Sequence, residues 1–277
     1  PIYCQFGKNI VQYKSFDWHY IQSKYFDVYF YDSDKGSTNI NSNAEFVARE
    51  SLKSYDIISN AIGWKLKNRI PIIVYNSHND FQQTNIIDMY MPEGVGGVTE
   101  LYKNRVVIPF DGNNNQFKTV IHHELVHAFI NDYIYKGSIQ NMQNDDVILI
   151  PLWMNEGLAE FLSTPWQTES DMWMRDLVVN GEKLPKLNEL NGYLAYRGGQ
   201  SVWKYIVEEL DTLYAQGKTE APSIIASIFS AISTSSDLNT ALEKALNIDL
   251  ESLESGWHKY LKSEYWPDIN NRDYLDD

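Results

Sequence analysis

Two histidines and three glutamates in this chain have the types and the spacing to hold a metal ion and use it. His123 and His127 lie four apart in His122-His123-Glu124-Leu125-Val126-His127. On a helix, positions i and i+4 share one face, so both imidazoles can reach the same ion. Glu124 falls one step around the helix, beside such an ion rather than on it. A carboxylate there can accept a proton from a metal-bound water. His122 points about 100° away from His123, which suits a supporting or surface position better than ligation. Leu125, Val126, Phe129 and Ile130 supply the apolar back of the helix. The competing reading is an amphipathic helix with two surface imidazoles.

A second cluster follows at Trp153-Met154-Asn155-Glu156-Gly157-Leu158-Ala159-Glu160-Phe161. A catalytic zinc takes three protein ligands and a water, so two histidines leave it one short. Glu156 and Glu160 again share a helix face, amid Leu152, Trp153, Leu158, Ala159 and Phe161. Carboxylates on so apolar a helix need a partner, and a cation provides one. Solvated glutamates on a partly exposed helix are the alternative.

H-E-x-x-H followed by N-E-G-x-A-E resembles the gluzincins, the clan that contains thermolysin and the zinc aminopeptidases. The resemblance implies zinc as cofactor, His123, His127 and Glu156 as its ligands, and Glu124 as general base. It places Glu160 in hydrogen-bonding support of the first histidine, and Asn155 against the other through its backbone. A third segment, Tyr196-Arg197-Gly198-Gly199-Gln200-Ser201-Val202, is similar to Y-x-K-G-A-S-V of the zinc aminopeptidases, with Gly198 standing where the family has Lys. That implies a Tyr196 hydroxyl donating to the oxyanion. A packing role for Tyr196, or a shift of the function to Tyr193, stays open.

Gly96-Gly97-Val98-Thr99-Glu100 lies where aminopeptidases carry G-A-M-E-N or G-G-M-E-N. Their glutamate binds the free amino terminus of the substrate, and here that position is Thr99. Gly97, Val98 and Thr99 can still pair with an extended peptide backbone, so endopeptidase is favoured over aminopeptidase. From FGKNIVQY through SHNDFQQT and EGVGGVTELYKNRVVIPF, the chain also resembles exported peptidase-MA-like domains found ahead of TolB-type β-propellers in bacterial envelope proteins. This implies a peptide or protein substrate, an extracytoplasmic setting and a C-terminal β-propeller in the parent protein. The rival readings are a catalytically silent, zinc-containing module that binds peptide or glycan, and a scaffold in which the motif is accidental.

The elements that must position these residues read as strands followed by helices, an α+β order. Residues 16–34 predict two short Tyr- and Phe-rich strands, and Ala44 to Ile62 a helix. Ile70–Tyr75 is a buried strand, and Gly96–Leu101 and Arg105–Phe110 are two more, joined by a turn at Lys103-Asn104. After Asp111–Asn115 the pattern turns helical, over Phe117–Tyr135, Leu152–Ser163, 168–179, Tyr193–Leu210, 222–232, 237–246 and 249–264. The expected architecture is zincin-like: one peptidase domain over 1–277, a mixed-sheet lobe over 1–114 and a helical lobe over 115–277, with the active-site cleft between them.

Bulk composition bounds the rest. The 277 residues are 43% hydrophobic and 22% charged, an ordinary globular balance. A formal charge of −14 argues against a nucleic-acid partner, which would need clustered Lys and Arg. No apolar run approaches the roughly 18 residues of a membrane-spanning helix. Cys4 is the single cysteine, so no internal disulfide can form. His78 reads as a loop histidine bonded locally. Asp145-Asp146 and Asp276-Asp277 read as solvated acids.

Overall fold

The computed structural model describes residues 13–32, 42–86, 94–137, 148–181, 183–211 and 223–270. Cys4 and the aspartate pairs at 145–146 and 276–277 lie outside them. The chain divides into two compact units. One comprises residues 1–60 and 64–143, and the other 61–63 and 144–277. The sequence pattern changes character near residue 112, but the division falls after the His123 helix rather than before it. That helix packs on the sheet and so belongs with it.

In the first unit the strands are β1 (Trp18–Gln22), β2 (Phe26–Tyr31), β3 (Ile70–Tyr75), β4 (Val98–Glu100) and β5 (Arg105–Pro109). They form one mixed sheet in the order β1-β2-β3-β5-β4. The β2–β3 and β3–β5 pairs are parallel, and the two outer pairs are antiparallel. The register aligns Val28, Ile72 and Val106 across three strands, and Tyr29, Ile73 and Val107 beside them. Side chains alternate between faces along a strand, so these two rows line opposite faces. On the Ile73 face, Tyr31, Tyr75, Phe81 and Val107 form an aromatic cluster that also takes in Val98.

Two helices cover the other face, α1 (Ser42–Ile62) and α3 (Asn114–Ile134). Tyr55 of α1 packs on Phe129 of α3 with ring centroids 5.5 Å apart, and Phe46 stacks on Phe117 at 6.0 Å. Helix α3 begins before Phe117, its expected start, because the Asn113 side chain caps it. Its Oδ1 accepts from the backbone N–H groups of Asn115 and Gln116. Gly112, at φ +95°, makes the turn that delivers the chain to this cap.

The far end of α3 is pinned twice. Asn104, in the left-handed conformation at the hairpin turn, donates from Nδ2 to the carbonyl of Ala128 at 3.0 Å. Buried Asp132 accepts from Trp64 Nε1 at 2.8 Å and from the Lys67 N–H at 3.1 Å. Trp64 also stacks on Tyr133 at 4.2 Å. Replacing Asp132 with Ala should leave both donors without their acceptor and lower stability by about 1–3 kcal/mol. An unfolding midpoint equal to wild type would contradict this account of how α3 is held.

The polar stretch after β3, read as a loop, holds a short helix, α2 (His78–Phe81). Ser77 caps it, and Asp80 is buried where it accepts from Tyr31 Oη at 2.8 Å and Lys14 Nζ at 2.7 Å. Burial and the neighbouring carboxylate raise the Tyr31 phenol above its ordinary pKa.

The second unit is helical: α4 (Leu152–Ser163), α5 (Thr168–Asn180), α6 (Tyr193–Tyr205), α7 (Ile224–Ile232), α8 (Leu238–Leu246), α9 (Leu250–Glu264) and α10 (Trp266–Asn270). Helix α6 continues into a π turn over Ile206–Leu210, inside what the sequence predicts as one uninterrupted helix. Its central contact is between α4 and α6, backbone to backbone. A Cβ on Gly157 would lie 2.3 Å from the Gly199 carbonyl carbon, and one on Gly199 would lie 2.2 Å from the Trp153 carbonyl oxygen. Trp203 Nε1 donates to the Met154 carbonyl at 2.9 Å, and Gln200 Nε2 to that of Thr164 at 2.9 Å. The apolar helix α4 is thus locked along its length.

Candidate active site

Helix α3 brings His123 and His127 onto one face, as their spacing requires. Their rings meet edge to face, with centroids 4.9 Å apart and planes at 79°. His123 is half-buried and His127 buried. Glu124 is buried as well, at 6% exposure, so its carboxyl group needs a hydrogen-bonding partner. A donor comes from the edge strand. Thr99 Oγ1 lies 2.7 Å from Glu124 Oε2 and 2.9 Å from the Glu124 carbonyl oxygen.

That contact depends on Gly97. A Cβ there would lie 3.0 Å from Glu124 Cγ, 3.0 Å from Val120 Cγ1 and 2.9 Å from Ile108 Cγ2. Hydrogen in place of a side chain lets β4 lie against α3. Val98 points instead into the aromatic cluster on the opposite face. Nothing in the sequence spacing foretells the Thr99 contact, because it requires the register of a three-residue strand against a helix.

His122 is neither exposed nor on the imidazole face. It is buried at 8% exposure, and among the described residues its Nε2 has no hydrogen-bonding partner. Burial, with the charges of His123 and Lys118, pushes its pKa down to about 4, so it stays neutral. His78 differs from the expected locally bonded loop histidine. It opens α2 with its ring against Phe81, and among the described residues its buried Nε2 has no hydrogen-bonding partner.

In the second unit, α4 carries Asn155, Glu156 and Glu160, all half-buried. Their positions follow from the Gly157–Gly199 contact, which places Glu156 one residue before the crossing. The Asn155 N–H is used inside the helix, on the Pro151 carbonyl at 3.0 Å. Glu160 Oε2 accepts from Arg197 Nη1 at 3.0 Å, a partly buried ion pair that no local sequence pattern foretells. Arg197 also donates from Nε to Tyr193 Oη at 3.0 Å, and Tyr193 donates to Glu169 at 3.0 Å. The Tyr193 hydroxyl is therefore committed to this exposed network. Tyr196, one turn along α6, is half-buried. The glycines of the same segment have packing roles: Gly198 leaves room for Leu190, and Gly199 for Gly157.

The profile of the Peptidase MA superfamily matches residues 55–263, most of the chain. The chain belongs to the Peptidase MA superfamily. The matched stretch includes Gly97 and Thr99 on the β4 segment, the histidine pair with Glu124 on α3, and the glutamates of α4. Among solved structures, this Peptidase MA chain is similar to a variant of the M1 zinc metallopeptidase from Deinococcus radiodurans. Identity is 13%, the TM-score is 0.49, and the match covers 86% of this chain and 50% of that one. The chain thus spans half the length of that structure. No curated protein matches the sequence. Among the described residues, no helix is long and apolar enough to cross a membrane.

Proposed function

We propose that this chain is a zinc-dependent peptidase, with His123, His127 and Glu156 as ligands of the metal. Two imidazoles and one carboxylate suit a borderline divalent ion, and three protein ligands leave a position for water or substrate. When bound, zinc acidifies a water and polarises the scissile carbonyl. The observation that carries the reading is the placement of Glu124 on α3. It is a buried carboxylate one step around the helix from two imidazoles that share a face, with one oxygen held by Thr99.

Glu124 takes the proton of the attacking water and returns it to the departing amine. Tyr196 donates its phenolic proton to the oxygen that becomes negative. Tyr193 is the weaker candidate, because its hydroxyl is tied to Glu169 and Arg197. Glu160 and Asn155 steady the imidazoles from behind. The edge of β4 around Gly97, Val98 and Thr99 aligns an extended peptide. Thr99 stands where the aminopeptidases have an amino-terminus-binding glutamate, and this favours endopeptidase action. The resemblance to exported peptidase domains supports an extracytoplasmic setting and a parent chain with a C-terminal β-propeller.

Metal removal tests the reading. Purified protein should hold stoichiometric zinc and cleave members of an unbiased peptide mixture. Stripping with a chelator should abolish cleavage, and added zinc should restore it. Stripping should also lower the unfolding midpoint, since a ligand at about 100 times its Kd stabilises the folded state by roughly 2.7 kcal/mol. Cleavage indifferent to the chelator, by protein without zinc, would overturn the proposal.

A further inference from the structure

We propose that Thr99 is a positioning residue for Glu124, fixing by its hydroxyl which carboxylate oxygen receives the proton of the attacking water. The inference deepens the peptidase reading and rests on it.

The strand register sets up the contact. Val98 pairs with Val107, and Thr99 with Val106. Alternation sends Val98 to the aromatic cluster, while Gly97 and Thr99 face α3. With no side chain on Gly97, the strand can approach Glu124 Cγ at this point. The next residue on that face, Thr99, then reaches both the carboxylate and the backbone carbonyl of Glu124.

A hydroxyl has one proton to give. The 2.7 Å approach to Oε2 is the stronger of the two contacts, because its acceptor is charged. The donor is neutral, so it orients the carboxylate without cancelling its charge, as a lysine or arginine would. Oε2 is engaged, and Oε1 is left to take the proton. Threonine suits the task. Its β-branch restricts χ1, so the hydroxyl is aimed before any substrate arrives. A carboxylate free to rotate inside a buried site would spend part of its time in unproductive orientations.

This role differs from the alignment of peptide backbone by the same strand, and the two predict different kinetics. Thr99→Val keeps the shape and removes the hydroxyl. If Thr99 orients Glu124, kcat should fall roughly tenfold, with KM and zinc content unchanged. Thr99→Ser should recover most of the loss. A Thr99 that acted by holding substrate would raise KM and leave kcat intact, which would overturn the proposal. So would a wild-type kcat in Thr99→Val.

A second readout does not need turnover. Unfolding midpoints of Thr99→Val, Glu124→Ala and the double variant, measured on zinc-free protein, should be non-additive if hydroxyl and carboxylate are coupled. Additive shifts would overturn the proposal even in an active enzyme. Wild-type protein that binds zinc yet cleaves no peptide would instead sink the peptidase reading, with the cycle still reporting on the Thr99–Glu124 coupling.

Discussion

Glu124→Gln is expected to keep its zinc and lose its turnover. The substitution preserves size, and the side-chain amide oxygen can still accept from Thr99. What it removes is the ability to take a proton, since an amide oxygen is a far weaker base than a carboxylate. General base catalysis is worth about 10²–10⁴-fold. The metal is untouched, because on the proposed reading its ligands are His123, His127 and Glu156. Three measurements define the result: zinc per protein chain, the unfolding midpoint, and kcat on a peptide that the wild type cleaves. Retained zinc, a near-native midpoint and kcat lower by at least about a hundredfold support the assignment. Hydrolysis at the wild-type rate refutes it. Loss of zinc would mean that Glu124 is itself a ligand, which its position one step around α3 argues against.

The parts of the molecule legible from sequence were those governed by short-range periodicity. The paired histidines share a face because a helix repeats every 3.6 residues, and their ring contact follows from that alone. Strands β2, β3 and β5 announced themselves as runs of branched and aromatic residues. The misreadings arose where a side chain answers to a partner far along the chain. Helix α2 reads as a polar loop because the partners of buried Asp80, Tyr31 and Lys14 among them, lie far along the chain. For His122 the expectation of a supporting or surface position left two environments open, and no local signal tells that it is buried, with no partner for Nε2 among the described residues. The Arg197–Glu160 pair joins two helices whose mutual approach is set by glycines. Thr99 shows the same limit at the site itself. The strand around it resembles a peptide-aligning segment, and no local signal foretells that its hydroxyl turns toward Glu124.

The glycines of α6 give the other large expected effect, and the sign there is a contest between two terms. Gly199 lies inside a helix, where replacement by Ala gains about 1 kcal/mol from backbone entropy and propensity. Against this, the new methyl would stand 2.2 Å from the Trp153 carbonyl oxygen and 2.8 Å from the Gly157 Cα. Both are backbone atoms, so no rotamer change relieves the clash; α4 and α6 must separate. Overpacking of this kind costs about 1–3 kcal/mol and occasionally more, and separation also strains the Trp203–Met154 and Gln200–Thr164 hydrogen bonds. Packing should win, and Gly199→Ala should lower the unfolding midpoint. The consequence reaches the chemistry through Glu156, which stands next to Gly157 at the crossing. A displacement near 1 Å can reduce a rate about a hundredfold, so zinc occupancy and kcat should fall together. Gly94→Ala is the control, because among the described residues its Cβ would meet nothing within 4 Å. A Gly199→Ala variant as stable and active as that control would show that α4 can find another seat on α6, and that the glycine contact does not fix Glu156.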